Sequence, residues 1–266
     1  MPEPTGPVRL GIVCRPDPPV VAELEAMPLD SLWVGGHVCS AHATEEPMGQ
    51  LARLSALSTR ARIGTAVVPL PLYPPAIVAK QVADLDQATE GRVSLGVGTG
   101  GEYPQEFRAC EVSPQGRGGR LDEQIALLRA LWSGSDVTHR GRHHTVVDVR
   151  MRPTPRRPGG VPILVAGRGP RAMRRAGRLG DGWLPYLYSP VRYAESVVAV
   201  EAQRVAAGRA GTPFEWAVFL FCRIGVDGPA ARAEAVAALT ALHGRDAGRL
   251  LGRGVLAGAP GRRRRS

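Results

Sequence analysis

Hydrophobic positions fall in short unbroken runs that alternate with amphipathic stretches over most of the chain. The runs at 8–14, 31–35, 61–68, 92–97, 162–166, 182–185 and 216–226 are apolar and bounded by Gly, Pro or polar residues, the pattern of strands buried on both faces. Between them, Met48, Leu51, Leu54 and Leu57 recur at spacings of three. Ile77, Val78, Val82 and Leu85 share one face behind Pro75, a residue suited to a first helical turn. Leu121, Ile125, Leu128 and Leu131 mark another helix, with Asp122 and Glu123 in a first turn where the helix dipole favours them. Further helices are expected at 19–27, after Pro170, at 191–208 and at 229–243. Thr99–Gly118 reads as irregular. The stretch from Asp136 to Arg150 reads as a hairpin turning near Arg140–Gly141.

Strands that alternate with helices imply a parallel sheet. Seven such strands are one short of an eight-stranded (β/α)8 TIM barrel. An open doubly wound sheet is the competitor; it would carry a glycine-rich turn after its first strand, and "CRPDPP" is unsuited to a dinucleotide. The end, "LLGRGVLAGAPGRRRRS", offers a Gly/Pro loop and an Arg run where a barrel needs a final element.

Length and composition narrow the class. At 266 residues, 44% hydrophobic and 22% charged, the chain suits one large α/β domain and excludes a disordered polymer. No segment approaches ~20 uninterrupted apolar residues, and the start lacks a basic stretch followed by an apolar one, so neither a membrane partner nor a secretory leader is expected. Cys14, Cys39, Cys110 and Cys222 form no C-x-x-C pair or metal-ligand spacing and read as free buried thiols of a cytoplasmic protein. The net charge of +10 comes from 34 basic residues, all arginine except Lys80. Asn is absent and the arginines are scattered without aromatic interleaving, apart from Arg262–Arg265. A nucleic-acid partner is therefore excluded, and an acidic small ligand suits the field at least as well.

In a parallel α/β barrel the chemistry lies at the carboxyl ends of the strands. Three places qualify. In "LVAGRGPRAMRRAGRLGDGW", Gly167, Arg168 and Gly169 follow a strand and Pro170 opens a helix, so the N–H groups of Arg168, Gly169 and Arg171 can face an anion. A tight turn with surface arginines is the plainer reading. "GVGTGG" at 96–101 resembles a phosphate loop but lacks the G-x-x-x-x-G-K-[ST] pattern, which argues against a nucleoside triphosphate. His37 alone among the histidines falls at a strand end, where an imidazole can move a proton; a hydrogen-bonded structural histidine is the alternative. His42, His139, His143, His144 and His243 fall elsewhere. Neither a metal set nor a paired carboxylate is evident in the sequence.

These residues add up to a family likeness. "RIGTAVVPLPLYPPAIVAKQVADLDQATEGRVSLGVGTGG" resembles the central signature of the luciferase-like monooxygenase superfamily, in particular its deazaflavin (coenzyme F420)-dependent oxidoreductases. "SLWVGGHV", "GRLDEQIALLRALW" and "ILVAGRGPRAMRRAGRLGDGW" resemble further blocks in the same order, over Val8 to Pro260. The resemblance implies one barrel domain over 1–260 with an insertion at about 99–161, and a basic, disordered tail at 261–266. It implies hydride transfer between coenzyme F420 and a small organic substrate, with His37 moving a proton. Gly36, Gly98, Thr99 and Gly100 would meet the coenzyme, and a cis peptide at Ala66–Val67 would support its ring. Gly167, Arg168 and Gly169 would meet its phosphate, and Tyr186 and Tyr188 would shape the substrate pocket. An FMN-dependent monooxygenase is the alternative, and a truncated, inactive barrel another; a phosphosugar isomerase or lyase lacks a strand-end base. Two departures stand out. Deazaflavin members commonly have Asp-His after the second strand, whereas this chain has Gly36–His37, so the carboxylate is expected to be missing. The last strand is expected to be absent as well, which would leave sheet edges unpaired and favour a homodimer or lower stability.

Overall fold

The structure is a computed structural model that describes residues 7–40, 43–243, 248 and 255–259. His42, the basic tail and the first six residues lie outside the described residues. The chain divides into two compact units, one formed by residues 1–166 and 179–182, the other by 167–178 and 183–266.

The first unit runs β1 (Gly11–Val13), α1 (Pro18–Ala26), β2 (Ser31–Val34), α2 (Pro47–Leu57), β3 (Arg62–Thr65), β4 (Val68–Pro69), α3 (Pro75–Ala88), β5 (Val93–Gly98), α4 (Pro104–Ala109), α5 (Arg117–Trp132), β6 (Val137–Arg140), β7 (Thr145–Val149) and β8 (Ile163–Ala166). Its strands β1, β2, β3, β5 and β8 pair in that order, all parallel, and β4 adds to β5. A parallel sheet covered by helices reads as continuous apolar runs, and β2 and β5 are buried at every residue. Trp33 of β2 lies in register with Gly64 of β3, and a Cβ on Gly64 would collide with the indole. Glycine is what lets the largest side chain of β2 lie across its neighbour strand, and its indole N–H donates to Ser31 Oγ at 2.8 Å.

Three expectations change here. The run 61–68 breaks into β3 and β4 around Ala66–Val67, whose peptide is cis. The stretch read as irregular contains α4, introduced by Pro104 at a first helical position. The strand β1 is exposed along its length, with Ile12 at 36% and Val13 at 41% accessibility, and Leu10 just before it at 60%, whereas the apolar run predicted a buried strand. The hairpin forms as expected: β6 and β7 pair antiparallel around Gly141–His144, closed by Gly141 N–H donating to the His144 carbonyl at 2.9 Å.

The second unit holds α6 (Pro170–Leu179) up to Arg178 and β9 (Gly182–Leu184) from Trp183, then α7 (Pro190–Ala206), β10 (Glu215–Trp216), β11 (Phe221–Ile224), α8 (Gly228–His243) and β12 (Val255–Gly258). The run expected as one strand at 216–226 is two, β10 and β11, with Phe219 bridged to Tyr186 between them. Val255–Gly258, which the sequence assigned to a terminal loop, is a strand in parallel register with β11, Phe221 opposite Val255. Ala235 and Leu239 of α8 pack with Val255 in a small core.

Candidate active site

The loop after β2 is held from both sides. Gln50 of α2, 5% exposed, donates to the Gly35 carbonyl at 2.6 Å. A Cβ on Gly36 would run into the Glu45 carbonyl, so only glycine fits. Glu46 caps α2 through the N–H groups of Met48 (2.8 Å) and Gly49 (2.6 Å) and accepts the Tyr73 hydroxyl at 2.7 Å. Burial and this carboxylate push the Tyr73 hydroxyl far above its ordinary pKa, so it stays a donor.

The backbone around the next strand ends is packed by glycines. Gly35 lies against the Ala66 carbonyl, within 2.6 Å of where its Cβ would be, and Gly98 lies against Val67 Cγ2 at 3.1 Å on the same measure. Thr65 Oγ1 donates to the Gly96 carbonyl (2.8 Å) and accepts from its N–H (2.9 Å). Gly100, with φ +63°, packs on Pro69 and Phe107; Thr99 stands beside it. The structure thus brings Gly36, His37, Ala66, Val67, Gly98, Thr99 and Gly100 to the carboxyl ends of β2, β3, β4 and β5, the end where parallel α/β folds place their chemistry.

His37 has a carboxylate after all. Its Nδ1 lies 3.3 Å from Glu106 Oε1 and 3.4 Å from Oε2. Glu106, fully buried on α4, also accepts the N–H groups of Val38 (2.8 Å) and Cys39 (3.4 Å). The residue before the histidine is glycine and offers no carboxylate; the partner of His37 comes instead from α4. A carboxylate can only accept, so Nδ1 is the donor and Nε2 of the neutral ring is the acceptor. Nε2 lies 3.9 Å from Glu102 Oε2, and the ring remains 26% exposed. Tyr103 meets the imidazole edge-on, with centroids 4.6 Å apart. Desolvation first, then Glu102 and Glu106, raises the Tyr103 pKa.

The loop 167–169 belongs to the second unit. Gly167 has φ +122°, and a Cβ there would press on Ala172 Cβ at 2.7 Å. Its carbonyl accepts from Trp183 Nε1 at 3.0 Å, and that of Arg168 from Tyr188 Oη (3.0 Å) and Arg192 Nη2 (3.2 Å). The Arg168 guanidinium sits over the Tyr186 ring, 4.6 Å from its centroid. Gly169 is different: nothing lies within 4 Å of where its Cβ would be. Tyr188, expected to shape a pocket, is 2% exposed and packs edge-on against Trp183.

A second imidazole cluster lies on the hairpin. Glu123 of α5 accepts from His139 Nε2 (3.0 Å) and from the N–H groups of His143 (3.0 Å) and His144 (2.8 Å). Burial opposes its ionisation, but these hydrogen bonds outweigh that and hold its pKa at about 2. Burial, then Arg120, pushes the His144 pKa down. Among the described residues no group of three or more His, Cys, Asp or Glu is arranged to hold a metal ion. The cysteines are free but not buried: Cys14, Cys39 and Cys110 are half-buried and Cys222 is exposed.

Residues 19–265 match the sequence profile of the luciferase-like monooxygenases. The chain belongs to that family. Among curated relatives of this luciferase-like chain, the F420-dependent hydroxymycolic acid dehydrogenase of Mycobacterium tuberculosis is 38% identical over 173 residues, covering 64% of this chain and 47% of the relative. The chain spans about half the length of the curated relatives it matches. Among solved structures, a monooxygenase from Streptomyces bottropensis aligns with TM-score 0.80 and 25% identity, over 95% of this chain and 85% of that one. An F420-dependent secondary alcohol dehydrogenase bound to an F420–acetone adduct aligns with TM-score 0.80 at 20% identity, over 94% and 85%, a likeness of fold.

In this luciferase-like chain, sequence reasoning missed Glu102, Tyr103 and Glu106. The available signal was "EYPQEF": a proline at a first helical position, followed by Glu106 and the core residue Phe107. Six residues are too few to show a helical period.

Proposed function

We propose that this chain is an F420-dependent oxidoreductase that moves a hydride between the coenzyme and a carbinol carbon of a small organic substrate. The observation that carries the reading is His37, fixed through Nδ1 by the buried Glu106 and presenting Nε2 at the carboxyl ends of the parallel strands. The bound deazaflavin supplies the hydride acceptor, and the chain supplies orientation and proton transfer. Glycines at 98 and 100 follow β5 at the same carboxyl ends, where a side chain would meet Val67 or Pro69, so the strand end stays bare of side chains of its own. In the oxidative direction His37 Nε2 takes the hydroxyl proton as the carbinol carbon gives up its hydride, and a carbonyl remains. Glu106 stabilises the charged imidazole and keeps its tautomer. Glu102, half exposed at Nε2, passes the proton on to water.

The likeness to F420-dependent dehydrogenases supports the coenzyme assignment. FMN is the second reading, favoured by the monooxygenase neighbour. Fluorescence titration with each purified coenzyme separates them: quenching by F420 alone supports the proposal, by FMN alone the monooxygenase, and by neither an inactive barrel. We assign the Gly167–Gly169 loop to an anion on its own merits. The open space beside Gly169 makes Gly169→Val a test, since the side chain blocks approach to the backbone without disturbing its neighbours. A homodimer is also proposed, because β1 and the segment before it expose Val8, Leu10, Ile12 and Val13; sedimentation mass in solution tests it, and a monomer rules it out.

A further inference from the structure

Arg117, the first residue of α5, lies face-on against Gly101. A Cβ on Gly101 would be 3.2 Å from its Cζ and Nη2 and 3.3 Å from its Nε. Gly101 has φ +107°, so both its backbone conformation and its missing side chain suit a guanidinium resting there. The next residue is Glu102, the carboxylate on His37 Nε2. Arg117 therefore borders the candidate active site.

Several other arginines of the chain hold a carboxylate. Arg53 pairs with Asp17 and Glu45, Arg129 with Asp181, Arg204 with Glu201 and Arg223 with Glu234. Among the described residues, no carboxylate pairs with Arg117. The His143 imidazole stands over the same first turn of α5, its Cε1 3.3 Å from where a Cβ of Gly116 would be and its Nε2 3.4 Å from that of Gly119. Like-charged Arg120 lies one turn along. An exposed guanidinium in such company gains most from an oxyanion that it can grip with two parallel hydrogen bonds.

We propose that Arg117 selects an anionic substrate, one that carries a carboxylate or phosphate beside the carbinol carbon presented to His37. The proposal rests on the hydride-transfer reading of the same site. It adds the substrate class: hydroxy acids or hydroxyalkyl phosphates over neutral alcohols. Planar geometry matters as well as charge, so lysine replaces arginine only in part.

The test uses the full chain without coenzyme, titrated calorimetrically with lactate, with inorganic phosphate and with propane-1,2-diol, the neutral counterpart of lactate. The wild type is expected to bind at least one anion and not the diol, and the tighter anion identifies carboxylate or phosphate as the group read. Arg117→Ala is expected to weaken that binding at least tenfold, Arg117→Lys less. Equal binding by wild type and Arg117→Ala overturns the proposal, as does a wild type that binds neither anion. Circular dichroism on each variant separates lost binding from lost folding; this arginine is exposed, and its replacement should leave the fold intact. Coenzyme titration of the same samples separates the two readings. Coenzyme binding with Arg117-independent anion binding removes the substrate class alone. Arg117-dependent anion binding without coenzyme binding removes the hydride-transfer reading alone.

Discussion

Glu106 and Glu123 do nearly the same thing in two places. Each gathers one imidazole and two consecutive backbone N–H groups: His37, Val38 and Cys39 in one case, His139, His143 and His144 in the other. The first cluster closes the loop after β2 at the carboxyl ends of parallel strands; the second closes the β6–β7 hairpin. The difference lies beyond the shared motif. His37 has Glu102 at 3.9 Å on its other nitrogen and Tyr103 edge-on against its ring, whereas His139 sits on a β-ribbon. A carboxylate–imidazole pair is thus a way to hold a loop, and it becomes a candidate for chemistry only where the free nitrogen faces strand ends.

The largest effect is expected at Glu106. Glu106→Ala leaves two N–H groups and the imidazole without their acceptor in a buried place, which costs about 3 kcal/mol of stability. It should also abolish hydride transfer; chemical denaturation and a coenzyme-reduction assay read the two losses. If the variant keeps full activity, the distinction between the clusters fails. His37→Ala comes next. It should lower turnover by roughly 10²–10⁴-fold while coenzyme affinity and stability hardly change, as expected for a proton-transfer group. Unchanged turnover would return His37 to a structural role.

The sharper comparison is Glu102→Gln against Glu123→Gln. The former is expected to slow turnover about tenfold, without loss of stability, because it acts only at the exposed nitrogen. The latter should leave turnover alone and cost about 1 kcal/mol, because its hydrogen bonds hold the hairpin. Its pH signature has a fixed sign. The Glu123 carboxyl titrates at about 2 in the fold, below its ordinary value of 4.5. Its contribution to stability is therefore present above about pH 4.5 and lost as pH falls toward 2. Thermal melts across that window should show the wild type losing stability more steeply than Glu123→Gln. Parallel curves would remove Glu123 as the source.

Most of the elements were legible because they are periodic. The apolar face of Ile77, Val78, Val82 and Leu85 marks α3, and the unbroken run from Val93 marks β5, since burial on one stripe or on both faces leaves its period in the chain. Short elements left no such trace. α4 has six residues, and β12 four between glycine-rich neighbours, so neither shows a period. The exposure of β1 was equally hidden, because an apolar run says what a strand prefers and not whether something covers it.

The sequence by itself determined that parallel strands alternate with helices, that His37 follows β2, and that glycines follow β5 and β8. These are local facts, carried by side-chain period and by residues that alone tolerate certain backbone angles. Only the tertiary structure decided which carboxylate meets His37. Glu106 lies 69 positions away, on a helix whose own pattern carries no sign of its partner. Packing of β5 beside β3, and β3 beside β2, carries α4 to that loop, and no property of either segment alone encodes the meeting. The same packing lays Arg117 over Gly101 and leaves the identical motif at Glu123 to hold a hairpin.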